Sequence, residues 1–299
     1  MNLLIVSCDA GGAEIISSWV RSNPDNDYTF LLEGPAISIF SKKVSIINTT
    51  KLKDVESVIH NFDIVMVGTS ESNSLEKKVI AQSLINNVKS VAYLDYWYGF
   101  KSRFMLNGHQ VLPDEVWTAD KYAFEIAKKE LPEANVILKN NPYIDDIVEE
   151  KNRILNRKDY KSVTVTNNIL YLCQPYNQWY LDDTGKRTKL TDLKGVEFFL
   201  QSLIIRNLKD IEIKIRPHPL DNVNKYSMII DTYSKIMNIS LSSNKKLLDD
   251  LIWASSAVGM HSQALAVAVA SNIKSYYCIP KGAQNCALPH KEIENFTKI

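Results

Sequence analysis

Apolar residues fall in short runs along this chain, and stretches with helical spacing separate the runs. Residues 2–7 (NLLIVS) form the first run; Cys8-Asp9-Ala10-Gly11-Gly12 and a helical pattern from Ala13 to about Arg21 follow. Strand, glycine turn and helix in that order open a doubly wound sheet. The pattern recurs in YTFLLEG (28–34), in DIVMVGTS (63–70) with helical SLEKKVIAQSLI (74–85), in SVAYLD (90–95), in EVWTAD (115–120) with a helix to about Glu130, and in NVILK (135–139). Strands without strict alternation, set between helices, imply a parallel sheet covered on both faces.

A helix from Tyr143 ends this half, and the polar stretch NRKDYKSVTVTNN (156–168) marks a boundary. The second half restarts with a strand, NILYLCQP (168–175), then a polar loop through NQWYLDDTGKRTK and a helix over 192–206. Strand 211–216, helix 224–237, strand 238–241, helix 246–253, strand 256–259, helix 261–270 and strand 274–279 complete it. The expected fold is α/β, two Rossmann-like domains over 1–155 and 156–299 facing a cleft.

Composition narrows the function. The chain has 299 residues and a net charge of +1, so it carries no global field for nucleic acid or an anionic membrane. The four cysteines, Cys8, Cys173, Cys278 and Cys286, lack CxxC spacing and point to a reducing, cytoplasmic setting. The start MNLLIVSCDAGG lacks the basic leading region of a signal peptide. The apolar stretch 251–270 contains Gly259, His261 and Gln263 and reads as buried core instead of a bilayer span. No metal site is expected: Asp25-Asn26-Asp27 precedes a strand and reads as a turn.

In an open parallel sheet, ligands bind beyond the carboxyl ends of the strands. The stretch IEIKIRPHPLD (211–221) delivers Arg216 and His218 to such an end, stiffened by Pro217 and Pro219. Gln174 follows another strand, and Gly259-Met260-His261-Ser262 a third. Arg216, a protonated His218 and a helix start bearing Ser262 would together make an anion site. Ser262 as a simple cap of a buried helix is the alternative.

In the first half, Asp9 follows the first strand, and Gly11 and Gly12 let the backbone approach a ligand. Its carboxylate suits a general base on a sugar hydroxyl, and equally an N-cap. Ser70, in GTSESNSLE, lies after another strand. YLDYWYGFKSRF (93–104) adds Asp95, Trp97 and Arg103, whose rings and charges suit sugars; packing of the loop is the other reading for Trp97 and Phe104.

RPHP and VGMHSQALAVAVAS resemble the donor domain of GT-B glycosyltransferases of bacterial surface polysaccharides, capsule or O-antigen, most of all the sialyltransferase-like and capsule-type enzymes. The resemblance implies that His218-Pro219 and Ser262 contact the donor phosphate and that Asp9, by placement, deprotonates the acceptor. DAGGA, Asp95, Trp97, Arg103, Phe104, Pro113, Asp114 and Trp117 also resemble an uncharacterised group of polysaccharide-cluster proteins. The last donor helix, SQALAVAVAS, lacks the glutamate that holds ribose in many UDP-sugar enzymes of this fold. That implies a CMP-linked donor, a nonulosonate such as sialic, legionaminic or pseudaminic acid, or Kdo. Implied with it are an inverting, metal-independent transfer without cofactor, a glycan or lipid-linked glycan acceptor, and a place at the cytoplasmic face of the inner membrane. A sugar-nucleotide 2-epimerase and a non-catalytic assembly protein stand as alternatives.

Overall fold

The computed structural model describes residues 1–46, 48–157, 167–182, 184–208, 211–219, 221–244 and 246–298. They divide into two compact units, Met1–Asp146 and Ile147–Ile299. The expected boundary at 155/156 is the far end of the helix in which this division falls. Most of the polar stretch taken to mark that boundary, residues 158–166, lies outside the described residues.

The first unit contains β1 (Asn2–Ser7), α1 (Ala10–Ser22), β2 (Asp27–Leu32), α2 (Pro35–Lys43), β3 (Asn48–Thr49), α3 (Leu52–Val58), a 3-10 turn at Ile59–Asn61, β4 (Ile64–Val67) and α4 (Leu75–Ile85). Then come β5 (Lys89–Leu94), α5 (Phe100–Arg103), the small hairpin β6 (Met105–Leu106) and β7 (His109–Gln110), β8 (Glu115–Thr118), α6 (Lys121–Glu130), β9 (Val136–Leu138) and the start of α7 (Pro142–Leu155), the helix in which the division falls. The sheet is parallel, in the order β3-β2-β1-β4-β5-β8-β9. Leu3, Leu4, Ile5 and Val6 are all fully buried. Both faces of β1 are therefore covered, which is why its sequence does not alternate. On one face Leu3 and Ile5 pack with Ile15 and Ile16 of α1, Phe30, Phe40, Met66 and Tyr93.

The second unit contains β10 (Asn168–Leu172), β11 (Asn177–Leu181), β12 (Arg187–Thr191), α8 (Asp192–Ile205), β13 (Glu212–Arg216), a 3-10 turn at Val223–Tyr226, α9 (Ser227–Tyr233) and β14 (Asn238–Leu241). It ends with α10 (Leu247–Trp253), β15 (Ser256–Gly259), α11 (Ala264–Ala270), β16 (Lys274–Tyr277), β17 (Ile293–Asn295) and a 3-10 turn at Phe296–Lys298. Its sheet is again parallel, in the order β14-β13-β10-β15-β16-β17. Ile213 and Ile215 of β13 bury one face against Val196, Phe199 and Leu200 of α8. Each unit is thus a Rossmann-like domain, as the sequence led us to expect.

Four local expectations change. Gly11 and Gly12 lie inside α1 and not in a turn; the chain bends at Asp9, whose backbone is extended (φ −90°, ψ 157°). The polar loop through NQWYLDDTGKRTK is an antiparallel hairpin, β11 with β12, turned at Gly185 (φ +78°). The helix expected over 224–237 is a 3-10 turn followed by a short α9. The helix expected from 261 starts at Ala264, after a tighter turn closed by Leu265 N on the Ser262 carbonyl at 2.9 Å. Residues 35–61 and the edge strand β17 carry elements that the apolar pattern did not announce.

Candidate functional site

In each sheet the first strand is flanked on both sides by later ones: β1 by β2 and β4, β10 by β13 and β15. The connections leave in opposite directions there, and the crevice at such a switch point is where open α/β sheets bind ligands.

In the first unit this crevice is built from carboxylates. Asp9 is the N-cap residue of α1, yet its side chain makes no capping hydrogen bond; its carbonyl accepts from Ala13 N at 3.1 Å. The glycines explain how close the neighbouring loops come. A Cβ on Gly11 would sit 2.0 Å from Asp95 Oδ2, and one on Gly12 would sit 3.2 Å from Gly68 Cα. Arg103 Nη1 donates to Asp95 Oδ1 at 2.9 Å, to Thr69 Oγ1 at 3.3 Å and to the Thr69 carbonyl. Burial pushes the Asp95 carboxyl up; the Arg103 charge opposes this, and the negative charge of Asp9 adds to it.

Glu76, which sequence reasoning missed, ties β1 to β4. Its Oε1 accepts from Cys8 N at 3.2 Å, and its Oε2 accepts from Ser70 N at 2.9 Å and from the Cys8 thiol at 3.2 Å. Burial pushes Glu76 up to about 7, against the donors from Ser70 and Cys8 and with the charge of Asp9. Burial and the neighbouring Glu76 in turn push the Cys8 thiol up, so it stays protonated and donates. The available signal was a glutamate in the first turn of a helix just beyond a strand end, behind a Gly68 with no Cβ. A Cβ on Gly68 would lie 2.7 Å from Glu76 Oε1.

In the second unit the register levels three strand ends. Leu172 pairs with Arg216 on one side and with Gly259 on the other. Gln174 Oε1 accepts from His261 N at 3.0 Å, joining the loops after β10 and β15. His261 Nδ1 accepts from Ala287 N at 3.1 Å, and Tyr176 stacks on the ring at 5.0 Å. Because burial pushes His261 down, it favours the neutral form, and with Nδ1 accepting, its proton lies on Nε2. A Cβ on Gly259 would stand 3.0 Å from the Leu172 carbonyl.

The two prolines around His218 also find their reason here. Asp221 N donates to the His218 carbonyl at 2.8 Å, closing a turn with the exposed Pro219 next to its first residue. Asp221 Oδ2 returns to His218 N at 3.1 Å and to Tyr226 OH at 2.7 Å. Lys225 clamps Asp221 at 2.7 Å and also reaches Asp192 at the start of α8. The backbone at His218 is thereby fixed. Burial pushes the imidazole down, opposed by Asp221 and helped by Lys225. Half-buried, this ring is biased towards the neutral form, which still offers an N–H.

Other expected residues are placed differently. Arg216 has another partner than a ligand: Nη1 donates to Asp250 Oδ2 at 2.5 Å and to the Asn244 carbonyl at 3.0 Å, with Asp250 fully buried. Ser262 is buried and lies two positions before the start of α11; its carbonyl, not its hydroxyl, accepts from Leu265 N. Trp97 is buried and donates to Asp120 Oδ2 at 2.7 Å, so it packs its loop onto the start of α6. Ser70 faces Asn73 N at 3.1 Å. The first unit also has a pocket of about 380 Å³ lined by Trp19, Tyr93, Trp117, Leu138, Lys139, Asn140 and Pro142; none of the expected site residues lines it. Among the described residues, no group of three or more His, Cys, Asp or Glu is placed to hold a metal ion, and no helix is long and apolar enough to cross a membrane.

No family model matches the chain, and no curated protein matches it. Solved structures do. MnaA of S. aureus with UDP superposes with a TM-score of 0.62 at 13% identity, covering 93% of this chain and 79% of that one. UDP-GlcNAc 2-epimerase from Neisseria meningitidis bound to UDP-GlcNAc gives 0.61 at 11%, covering 93% and 82%. MurG of Acinetobacter baumannii gives 0.56 at 8%, covering 94% and 79%. At such identities the likeness concerns the fold, and with two parallel Rossmann-like sheets that fold is GT-B.

Proposed function

We propose that this chain is a glycosyltransferase that moves a sugar from a nucleotide donor, a CMP-linked nonulosonate or Kdo, to a glycan acceptor. The observation that carries the reading is the levelled strand ends of the second unit, where His218, its backbone held by Asp221, follows β13. An imidazole N–H there suits the phosphate oxygens of a nucleotide sugar. The solved structures named above include proteins bound to UDP and to UDP-GlcNAc, which supports a nucleotide-sugar ligand. The choice of CMP rests on α11, whose sequence ALAVAVA carries no acid for a ribose.

In this reading an acceptor hydroxyl attacks the anomeric carbon. Its proton passes to the Asp9 carboxylate, which no capping bond occupies. The bond from anomeric carbon to phosphate oxygen breaks, its electron pair stays on the phosphate, and His218 donates to the charge that develops.

A second reading, a sugar-nucleotide 2-epimerase, is favoured by the UDP-GlcNAc 2-epimerase among the solved structures. Thermal unfolding with CMP, CDP and UDP, followed by donor turnover with and without acceptor, separates the readings. CMP or CDP should raise the melting temperature most, by an amount equivalent to about 2.7 kcal/mol at a hundredfold excess over Kd. Equal protection by UDP reverses the donor assignment, donor consumption without acceptor favours the epimerase, and no protection by any nucleotide sinks both.

A further inference from the structure

The hairpin β11–β12 has two unlike faces. Strand alternation sends Gln178, Tyr180, Thr188 and Leu190 one way and Trp179, Leu181, Arg187 and Lys189 the other. Leu190 is buried on a small cluster with Met260 and Ile279, beside Tyr176 and Tyr180, so the first face is seated on the loop that leads to His261. The second face is open. Trp179 is 58% exposed and Leu181 60%. Register sets Trp179 opposite Lys189 and Leu181 opposite Arg187. The Arg187 guanidinium lies 5.0 Å from the Trp179 ring centre, and the Lys189 ammonium 5.8 Å. The Asp182 carboxylate is taken up inside the turn by Thr184, Lys186 and Thr188. The tip also has a firm base: a Cβ on Gly282 would stand 2.1 Å from the Leu181 carbonyl, so the 280–283 loop lies directly against it.

A solvent-facing ribbon needs neither of these large apolar side chains. A tryptophan between two cations matches the boundary of a bilayer, where indole sits at headgroup level and basic side chains reach lipid phosphates. The adjacent Leu181 decides among polyanions. An aliphatic side chain gains nothing from a soluble acidic glycan or a nucleic acid, but it is at home among acyl chains. We propose that this face, Trp179 and Leu181 flanked by Arg187 and Lys189, docks the chain on an anionic lipid surface. The proposal does not depend on the activity proposed above.

The test is co-sedimentation of the full chain with vesicles of phosphatidylcholine alone or mixed with phosphatidylglycerol. Binding should require phosphatidylglycerol and weaken with salt. The pairs Trp179→Ser with Leu181→Ser, and Arg187→Glu with Lys189→Glu, should each lower the bound fraction about tenfold or more. All four side chains are outside the packed face, so melting temperatures and nucleotide protection should stay at parent values, which separates this result from any failure of the activity. Parent protein that ignores phosphatidylglycerol vesicles, variants that bind like the parent, or a ribbon that binds a soluble acidic glycan but no vesicles would each overturn it.

Discussion

The two strand-end clusters share a topology and differ in chemistry. In the first unit, Glu76 and Asp95 are buried carboxyls whose pKa values burial raises. In the second, His218 and His261 are imidazoles that burial pushes down. Burial disfavours charge in both cases, so each cluster holds groups biased towards neutrality, and their effects on stability run in opposite directions. The raised carboxyls cost stability as pH rises above the ordinary carboxylate range, whereas the lowered histidines cost stability as pH falls below 6.5. A doubly wound sheet thus fixes where loops emerge and leaves their chemistry open. Here one set of loops gathers carboxyls and the other imidazoles.

The largest effects should appear where the contrast becomes functional. If the first unit supplies the base, Asp9→Asn should lower turnover roughly 10²–10⁴-fold with nucleotide protection nearly unchanged. His218→Ala should lower turnover comparably and weaken nucleotide protection as well, because its N–H would face the phosphate. The opposite pattern, with Asp9→Asn abolishing nucleotide protection and His218→Ala leaving it intact, would exchange the roles of the two units. Since the Asp9 side chain makes no cap bond, Asp9→Asn should keep the parent's melting temperature.

Next in size are two arginines paired with aspartates, Arg103 and Arg216. Arg103→Met takes from Asp95 the charge that opposes its desolvation, and should cost about 3–5 kcal/mol in urea unfolding at pH 8. Arg216→Met leaves Asp250 with two good donors, Ser242 Oγ at 2.6 Å and Asn244 Nδ2 at 2.7 Å. It should cost clearly less. Equal losses would mean that neutral donors do not compensate a buried carboxylate here.

These residues also show how far the sequence could be read. Runs such as NLLIVS report burial on both faces directly, and so the doubly wound sheets and their strand ends could be found, with Asp9, Asp95, Arg103, Gln174, His218 and His261 on the loops. What stayed hidden depends on pairing across distance. Arg216 finds Asp250 34 positions away, and nothing in RPHP announces that partner. Glu76 resembles any first-turn glutamate until Gly68, lacking a Cβ, lets β1 and β4 close around it. The hairpin was hidden because its alternation, Gln178 and Tyr180 against Trp179 and Leu181, places large apolar residues on its open face.

Glu76 provides the smallest and most specific test of the contrast. Its carboxyl titrates near 4.5 when unfolded and near 7 in the fold. Between those values the native state holds a proton that the unfolded chain has lost, so stability falls as pH rises through the window and levels off above it. A shift of that size corresponds to about 3 kcal/mol across the window. Glu76→Gln cannot titrate. It also offers one acceptor oxygen where two are used, so either Cys8 N or Ser70 N loses its partner, at a cost of about 1–3 kcal/mol. The variant should therefore be less stable than the parent at pH 5 and close to it at pH 8, where the parent carries the penalty of a buried charge. Asp95 tilts both proteins in the same direction and cancels in the difference. Urea unfolding at several pH values between 5 and 8 measures this convergence. Two curves that stay parallel would show that Glu76 does not titrate in the window, and would leave the first unit without a carboxyl near neutrality at the Cys8–Ser70 junction.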